Sequence, residues 1–305
     1  MGHFVKIGIS IANNWGVLDA SRLIDLAVRA EERGFSSVWT SEHLVNVDYV
    51  RARIGDRPYY HPLAMLSAVA SRTRQIALGT SVLIVPFHHP FDLAKYVATL
   101  DQISCGRVIL GVGVGNVREE FDFIGVPWEQ RGAIMDESLD VLRAVWSQHS
   151  SSHQGARWNF SGVHTSPKPF QERRIPMWIG GMSEAALRRC VRVGDGWHPT
   201  GLTPQELCMR TASMRKIAAA EGRDANSLDV CMRFNIALDD VAVTDTELRS
   251  TIKGYVADRI VAIAAEYANA GATHFIYALN SHDPDTLEKT VDALAADLLP
   301  SFPNS

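Results

Sequence analysis

RVILGVGVGNVREEF, residues 107–121, runs a short apolar segment into a ladder of glycines. Residues 108–110 are apolar without polar alternation, as in a strand buried on both faces of a parallel sheet. Gly111, Gly113 and Gly115 then alternate with Val112 and Val114. The end of this strand is therefore bare enough for something flat or anionic to lie against the backbone, at the position where parallel α/β folds keep their sites. The pattern G-x-G-x-G is not the dinucleotide fingerprint G-x-G-x-x-G, because position 116 is Asn and no helix opens on the third glycine. Gly125, Pro127 and Trp128 follow instead, before a long amphipathic stretch.

Outward from this segment, strands and helices alternate. Towards the N-terminus the sequence predicts strands at 4–11, 37–40 and 76–85 and helices at 20–33, 62–72 and 91–103, with Gly34 placed to cap the first helix. Towards the C-terminus it predicts helices at 132–148, 184–193, 204–221, 247–270, the last of these open to a break at Gly254, and 286–299. Strands are expected at 176–180, through Trp197, at 230–238 and at 273–278. Residues 149–175, rich in small polar residues, glycine and proline, are expected as an inserted loop able to hold a short hairpin. About eight strands alternating with about eight helices is the count of a (β/α)8 TIM barrel, and no repeat or linker divides the chain, so residues 1–305 are expected to form one domain.

The 305 residues carry a net charge of -4 and a 46% hydrophobic fraction, an ordinary balance for a globular protein and a poor one for nucleic-acid binding. Cys105, Cys190, Cys208 and Cys231 never form C-x-x-C, so neither a zinc site nor a redox dithiol is indicated, and all four are expected to be buried thiols. No metal ligand set is expected. Without a basic, apolar and cleavable leader the chain is expected to be cytoplasmic, and no apolar run approaches the ~18 residues of a membrane span.

In a barrel the informative positions are the strand C-termini. His43 is the best acid/base candidate, since an imidazole beside a carboxylate changes protonation near neutral pH and Glu42 adjoins it in sequence. A backbone-bonded loop histidine is the equal alternative on the residues alone. Asn13, Trp15, His88 and Trp197 are expected around the substrate pocket. PMWIGGMSEAALRR, residues 176–189, offers a second signal: a strand, a Gly-Gly turn and Ser183 at a helix start. Backbone N–H groups there favour an anion, phosphate above all.

Three runs together resemble the bacterial luciferase-like family of flavin and deazaflavin oxidoreductases: AEERGFSSVWTSEHL at 30–44, the long run from Leu78 to Gly132 that contains TSVLIVPFHHP, and IPMWIGGMSEAALRRCVRVGDGWHP at 175–199. Within it the chain is similar to the branch that uses coenzyme F420. The resemblance implies a TIM barrel with the cofactor ring across its mouth. Glu42 and His43 would stand beside the reactive edge, and Ser81 and Val82 behind it, joined by a non-proline cis peptide. Gly113, Val114, Gly115 and Asn116 would lie along the ring, and the cofactor phosphate would sit at Gly180, Gly181, Met182 and Ser183. The family's sugar-phosphate dehydrogenases have Glu where Asn116 stands and Asp where Glu42 stands, so the resemblance does not extend to their substrate. The activity implied is hydride transfer between F420 and a small organic substrate. The alternatives are an FMN-dependent monooxygenase using reduced flavin and dioxygen, and a non-catalytic flavin-binding protein. A homodimer is implied as well. A tail of several carboxylates on F420 would find Arg51, Arg53, Arg57, Arg173 and Arg174 in the two long loops, 44–60 and 149–175.

Overall fold

The computed structural model of the chain describes residues 5–170, 174–238 and 251–302. Phe4, Arg173 and the segment 247–250, to which the sequence assigns a strand start, a rim cation and a helix start, lie outside the described residues. Strand β1 (Lys6–Ser10) is followed by helix α1 (Ala20–Glu32), β2 (Ser37–Thr40), α2 (Asp48–Ile54) and α3 (Pro62–Arg72). Then come β3 (Ala77–Thr80), β4 (Leu83–Ile84), α4 (Pro90–Ser104), β5 (Val108–Gly113), α5 (Arg118–Ile124) and α6 (Arg131–Ser147). A hairpin of β6 (Ser151–Gln154) and β7 (Asn159–Val163) precedes β8 (Met177–Gly180), α7 (Glu184–Val193), β9 (Gly196–His198) and α8 (Pro204–Ala220). The chain continues through β10 (Asp229–Ala237), β11 (Thr251–Lys253), α9 (Ala257–Asn269), β12 (His274–Asn280) and α10 (Pro284–Asp297).

Parallel pairing runs β1–β2–β3–β5–β8–β9–β10–β12 and returns from β12 to β1, so the eight strands close into a (β/α)8 TIM barrel. Two layers of core follow from closure. The outer one lies between strands and helices; α1 supplies Leu23, Leu26, Ala27 and Ala30, the i, i+3, i+4, i+7 stripe of its sequence. The inner one fills the barrel, where Trp39 and Trp178 stack with ring centroids 5.1 Å apart beside Cys231 and Ile276. Two tryptophans fit only because the facing strand positions are glycine. A Cβ on Gly79 would come within 2.1 Å of the Trp39 ring, and one on Gly196 within 2.6 Å of Trp178.

Four expectations are corrected. The single strand expected at 76–85 is two pieces, β3 and β4, with a cis Ser81–Val82 peptide between them, as the family resemblance implies. Within the helix expected at 247–270, the described residues 251–253 pair as β11 with the end of β10, and the helix of the described part is Ala257–Asn269. The loops at 44–60 and after Asn116 hold the short helices α2 and α5, whose seven residues each are too few for a periodic signal. Cys190 and Cys231 are buried, while Cys105 and Cys208 are exposed. No helix among the described residues is long and apolar enough to cross a membrane.

Candidate active site

The C-terminal ends of the barrel strands open into a cavity of about 630 Å³, a usual size for a small-molecule site. Its walls include Ser41, Glu42 and His43 after β2, Ser81 and Val82 at the break, Gly113 to Asn116 after β5, and Gly180 and Gly181 after β8. Apart from Ser41, these are the residues assigned above to catalysis and to the cofactor; Met182 and Ser183, assigned with them, do not line it.

His43 meets a carboxylate, but not that of Glu42. Its Nδ1 lies 2.8 Å from Oε2 of Glu120, on the first turn of α5, and the Glu120 side chain is 0% exposed. The other oxygen, Oε1, accepts the backbone N–H of Leu44 at 2.7 Å, so the carboxylate is gripped from both sides. Tyr49 from α2 and Tyr59 each set a ring against His43, with centroids 5.5 and 5.6 Å away. Glu42 turns elsewhere: Oε2 accepts the N–H of Ile84 at 2.6 Å and Oε1 lies 2.8 Å from Nε2 of His88. It braces β4, and the pairing of His43 with Glu42 read from the sequence is corrected to Glu120.

Of the residues expected around the substrate, none of four faces the cavity. Asn13 is buried behind it, where its amide accepts the N–H of Ser41 at 2.9 Å and donates to the carbonyls of Ser41 and Tyr60 at 2.8 and 2.7 Å. Trp15 is buried beneath Arg53, whose guanidinium sits 4.8 Å from its ring. His88 stands behind Glu42, and Trp197, fully buried, donates from Nε1 to the Gly181 carbonyl at 2.8 Å. All four support the wall rather than form it. The missing side chains of the glycine ladder are likewise explained by packing: a Cβ on Gly113 would come within 2.7 Å of Val82 and one on Gly180 within 3.2 Å of it. The bare backbone seats Val82 at the mouth.

The cavity floor carries a polar group that the sequence reading missed. Nη1 of Arg233, in the middle of β10, donates to Ser41 Oγ, Ser81 O and Ser81 Oγ at 3.0, 2.9 and 3.0 Å. His198 completes the link, with Nε2 2.9 Å from Ser81 Oγ and Nδ1 3.1 Å from the Cys231 carbonyl. A carbonyl only accepts, so Nδ1 carries the proton and Nε2 accepts from the serine hydroxyl. Burial, with the Arg233 charge nearby, pushes His198 down to about 4, so it is neutral at physiological pH. Burial also raises Tyr59 above the usual phenol range, leaving its hydroxyl un-ionised. An arginine in the largely apolar run VCMRFNIAL was the available signal for Arg233; Glu120 had none, because its partner is 77 residues away.

At the helix end, Ser183 caps α7 by accepting the Ala186 N–H at 3.2 Å, and Gly181 holds φ at +111°, a left-handed value that glycine adopts freely. The first turn of a ten-residue helix thus begins beside the cavity. Of the rim arginines, Arg53 lines the cavity, while Arg51 faces Asp56 at 3.6 Å and Arg57 reaches the Gly16 carbonyl at 3.4 Å. Arg174 pairs with Asp195 at 3.0 Å beside the start of β8, at the far end of the barrel, and is excluded from the rim.

The luciferase-like monooxygenase family model matches residues 1–300. An F420-dependent glucose-6-phosphate dehydrogenase from Nakamurella multipartita is 31% identical over 232 residues, covering 72% of this chain and 64% of that relative. The match thus spans less than two thirds of the relative's length. Among solved structures, an F420-dependent secondary alcohol dehydrogenase in complex with an F420-acetone adduct superposes with a TM-score of 0.82 at 19% identity, covering 99% of both chains. A monooxygenase from Streptomyces bottropensis superposes with a TM-score of 0.79 at 21% identity, covering 98% of this chain and all of that one. At these identities the two structures establish the shared fold.

Proposed function

As the chain belongs to the luciferase-like monooxygenase family, we propose that it is an oxidoreductase that exchanges a hydride between coenzyme F420 and a small alcohol or carbonyl compound, with His43 moving the accompanying proton. One observation carries the reading: an imidazole held by a buried carboxylate stands on the wall of a cavity large enough for a ring and a small substrate. The choice of F420 rests on the 31% identical dehydrogenase.

The residues suit such a group. Val82 and the Gly113 to Asn116 backbone offer a shelf for a flat ring, Gly180 and Gly181 with the start of α7 suit its phosphate, and Arg53 suits an anionic tail. The deazaflavin, when bound, accepts or supplies the hydride. In the oxidative direction the substrate carbon loses hydrogen with its electron pair, the hydroxyl proton passes to Nε2 of His43, and a C=O bond forms. In the reductive direction protonated His43 returns the proton to oxygen. The neutral Ser81–His198 link and the Arg233 contacts keep the floor fixed while this happens. The dimer implied by the family resemblance is part of the same reading, and light scattering at micromolar concentration showing only monomer would remove it.

A panel of primary and secondary alcohols with oxidised F420, and of aldehydes and ketones with the reduced form, followed by the cofactor's visible absorbance, tests the activity. Turnover with at least one pair is expected. Reduced FMN with dioxygen giving the only turnover would move the protein to the monooxygenase alternative.

A further inference from the structure

We infer that Glu120 is a positioning residue that fixes which nitrogen of His43 carries the proton, and so makes Nε2 the reacting atom. The inference rests on the proton role proposed for His43, but it concerns a property of the protein alone. A carboxylate has oxygens that only accept. With Oε1 occupied by the Leu44 N–H at 2.7 Å, Oε2 faces Nδ1 at 2.8 Å, and the only arrangement that forms this bond in the neutral ring places the proton on Nδ1. Nε2 is then left with its lone pair. The partner does not drift: Glu120 is fully buried in the first turn of α5, where negative charge also suits the helix dipole. The ring is also packed edge-on against Tyr49 and Tyr59.

The consequence is directional chemistry from one side chain. With Nδ1–H donating to Glu120, neutral His43 accepts a substrate hydroxyl proton at Nε2, and the resulting imidazolium sits against a carboxylate that stabilises it. No proton needs to reach Glu120. The same arrangement run backwards delivers the proton from Nε2 to a carbonyl oxygen. Glu42 does not substitute for it, because both of its oxygens are bound to Ile84 and His88.

The measurement is the tautomer itself. Protein labelled with 15N at histidine, without cofactor and at a pH where the ring is neutral, is expected to show His43 protonated on Nδ1. In Glu120→Gln the side-chain oxygen still accepts from Leu44, but the amide N–H2 now points at Nδ1 and donates to it, so the proton is expected to move to Nε2. Turnover in the alcohol-to-carbonyl direction should then fall by about a hundredfold or more, the scale seen when an acid–base histidine is held in the wrong tautomer, while cofactor affinity changes by less than about threefold. A merely structural glutamate would lower the melting temperature without moving the proton. Wild-type His43 protonated on Nε2 when neutral overturns the assignment even if the variant fails to fold, as does a folded Glu120→Gln protein with unchanged tautomer and unchanged turnover. Nδ1 protonation in a protein that turns over nothing with F420 would support the role of Glu120 and count against the proposed reaction alone.

Discussion

His43 and His198 are two histidines of one cavity held for opposite ends. His43 is paired with a carboxylate and available for proton exchange, whereas His198 is held neutral by burial and the nearby Arg233 charge. His43→Ala is therefore expected to fold and to bind cofactor, and to lose roughly a hundredfold or more in kcat, the scale of a general acid or base; a variant with wild-type kcat would remove His43 from the proton step. For His198 the sign is set by its depressed value. Above the ordinary histidine pKa of about 6.5 it is neutral folded or unfolded and contributes nothing. As pH falls from there towards about 4, the unfolded chain takes up a proton that the folded protein refuses, and stability is lost by up to roughly 3 kcal/mol. Urea midpoints across that range should fall more gently in His198→Asn than in the wild type. Equal slopes would show that acid sensitivity arises elsewhere. The sequence placed His43 at the mouth from its position at a strand end, yet named the wrong carboxylate, because chain adjacency said Glu42 and only folding brings Glu120 across.

At the scale of elements, the barrel wall is an exchange of volume between neighbouring strands. Trp39 on β2 occupies the space that Gly79 on β3 leaves, so Gly79→Ala should destabilise the protein by more than about 2 kcal/mol, as overpacking a rigid core does. Adding Trp39→Phe should restore part of the loss, and thermal melts of the two variants check it; a double variant no better than Gly79→Ala would show that the strain is in the backbone. Most elements were legible because helix and strand periods survive in the sequence wherever one face is buried, as in α1 with its Leu23, Leu26, Ala27 and Ala30 stripe. The failures have a physical pattern. Residues 251–253 become a strand through pairing with 235–237, a contact invisible in a local window, and α2 and α5 are too short to show a period. Asn13, Trp15, His88 and Trp197 do sit near strand ends, but whether such a side chain faces the cavity or braces it depends on partners far along the chain, such as Tyr60 for Asn13 and Gly181 for Trp197.

For the whole molecule, a closed barrel gathers strand ends from across the chain into one mouth, so the site is assembled from β2, the β3–β4 break, β5, β8, β9 and β10 at once. The fold itself does not choose the chemistry. What distinguishes an F420 enzyme from an FMN enzyme here is the ligand that the mouth prefers, since the start of α7 suits either phosphate. The direct measurement is a titration of the cofactor-free protein with oxidised F420 and, separately, with FMN, followed by quenching of tryptophan fluorescence. F420 is expected to bind at low micromolar concentration or below and at least tenfold more tightly than FMN, a difference of about 1.4 kcal/mol; FMN binding more tightly, with F420 giving no change, would contradict the deazaflavin assignment.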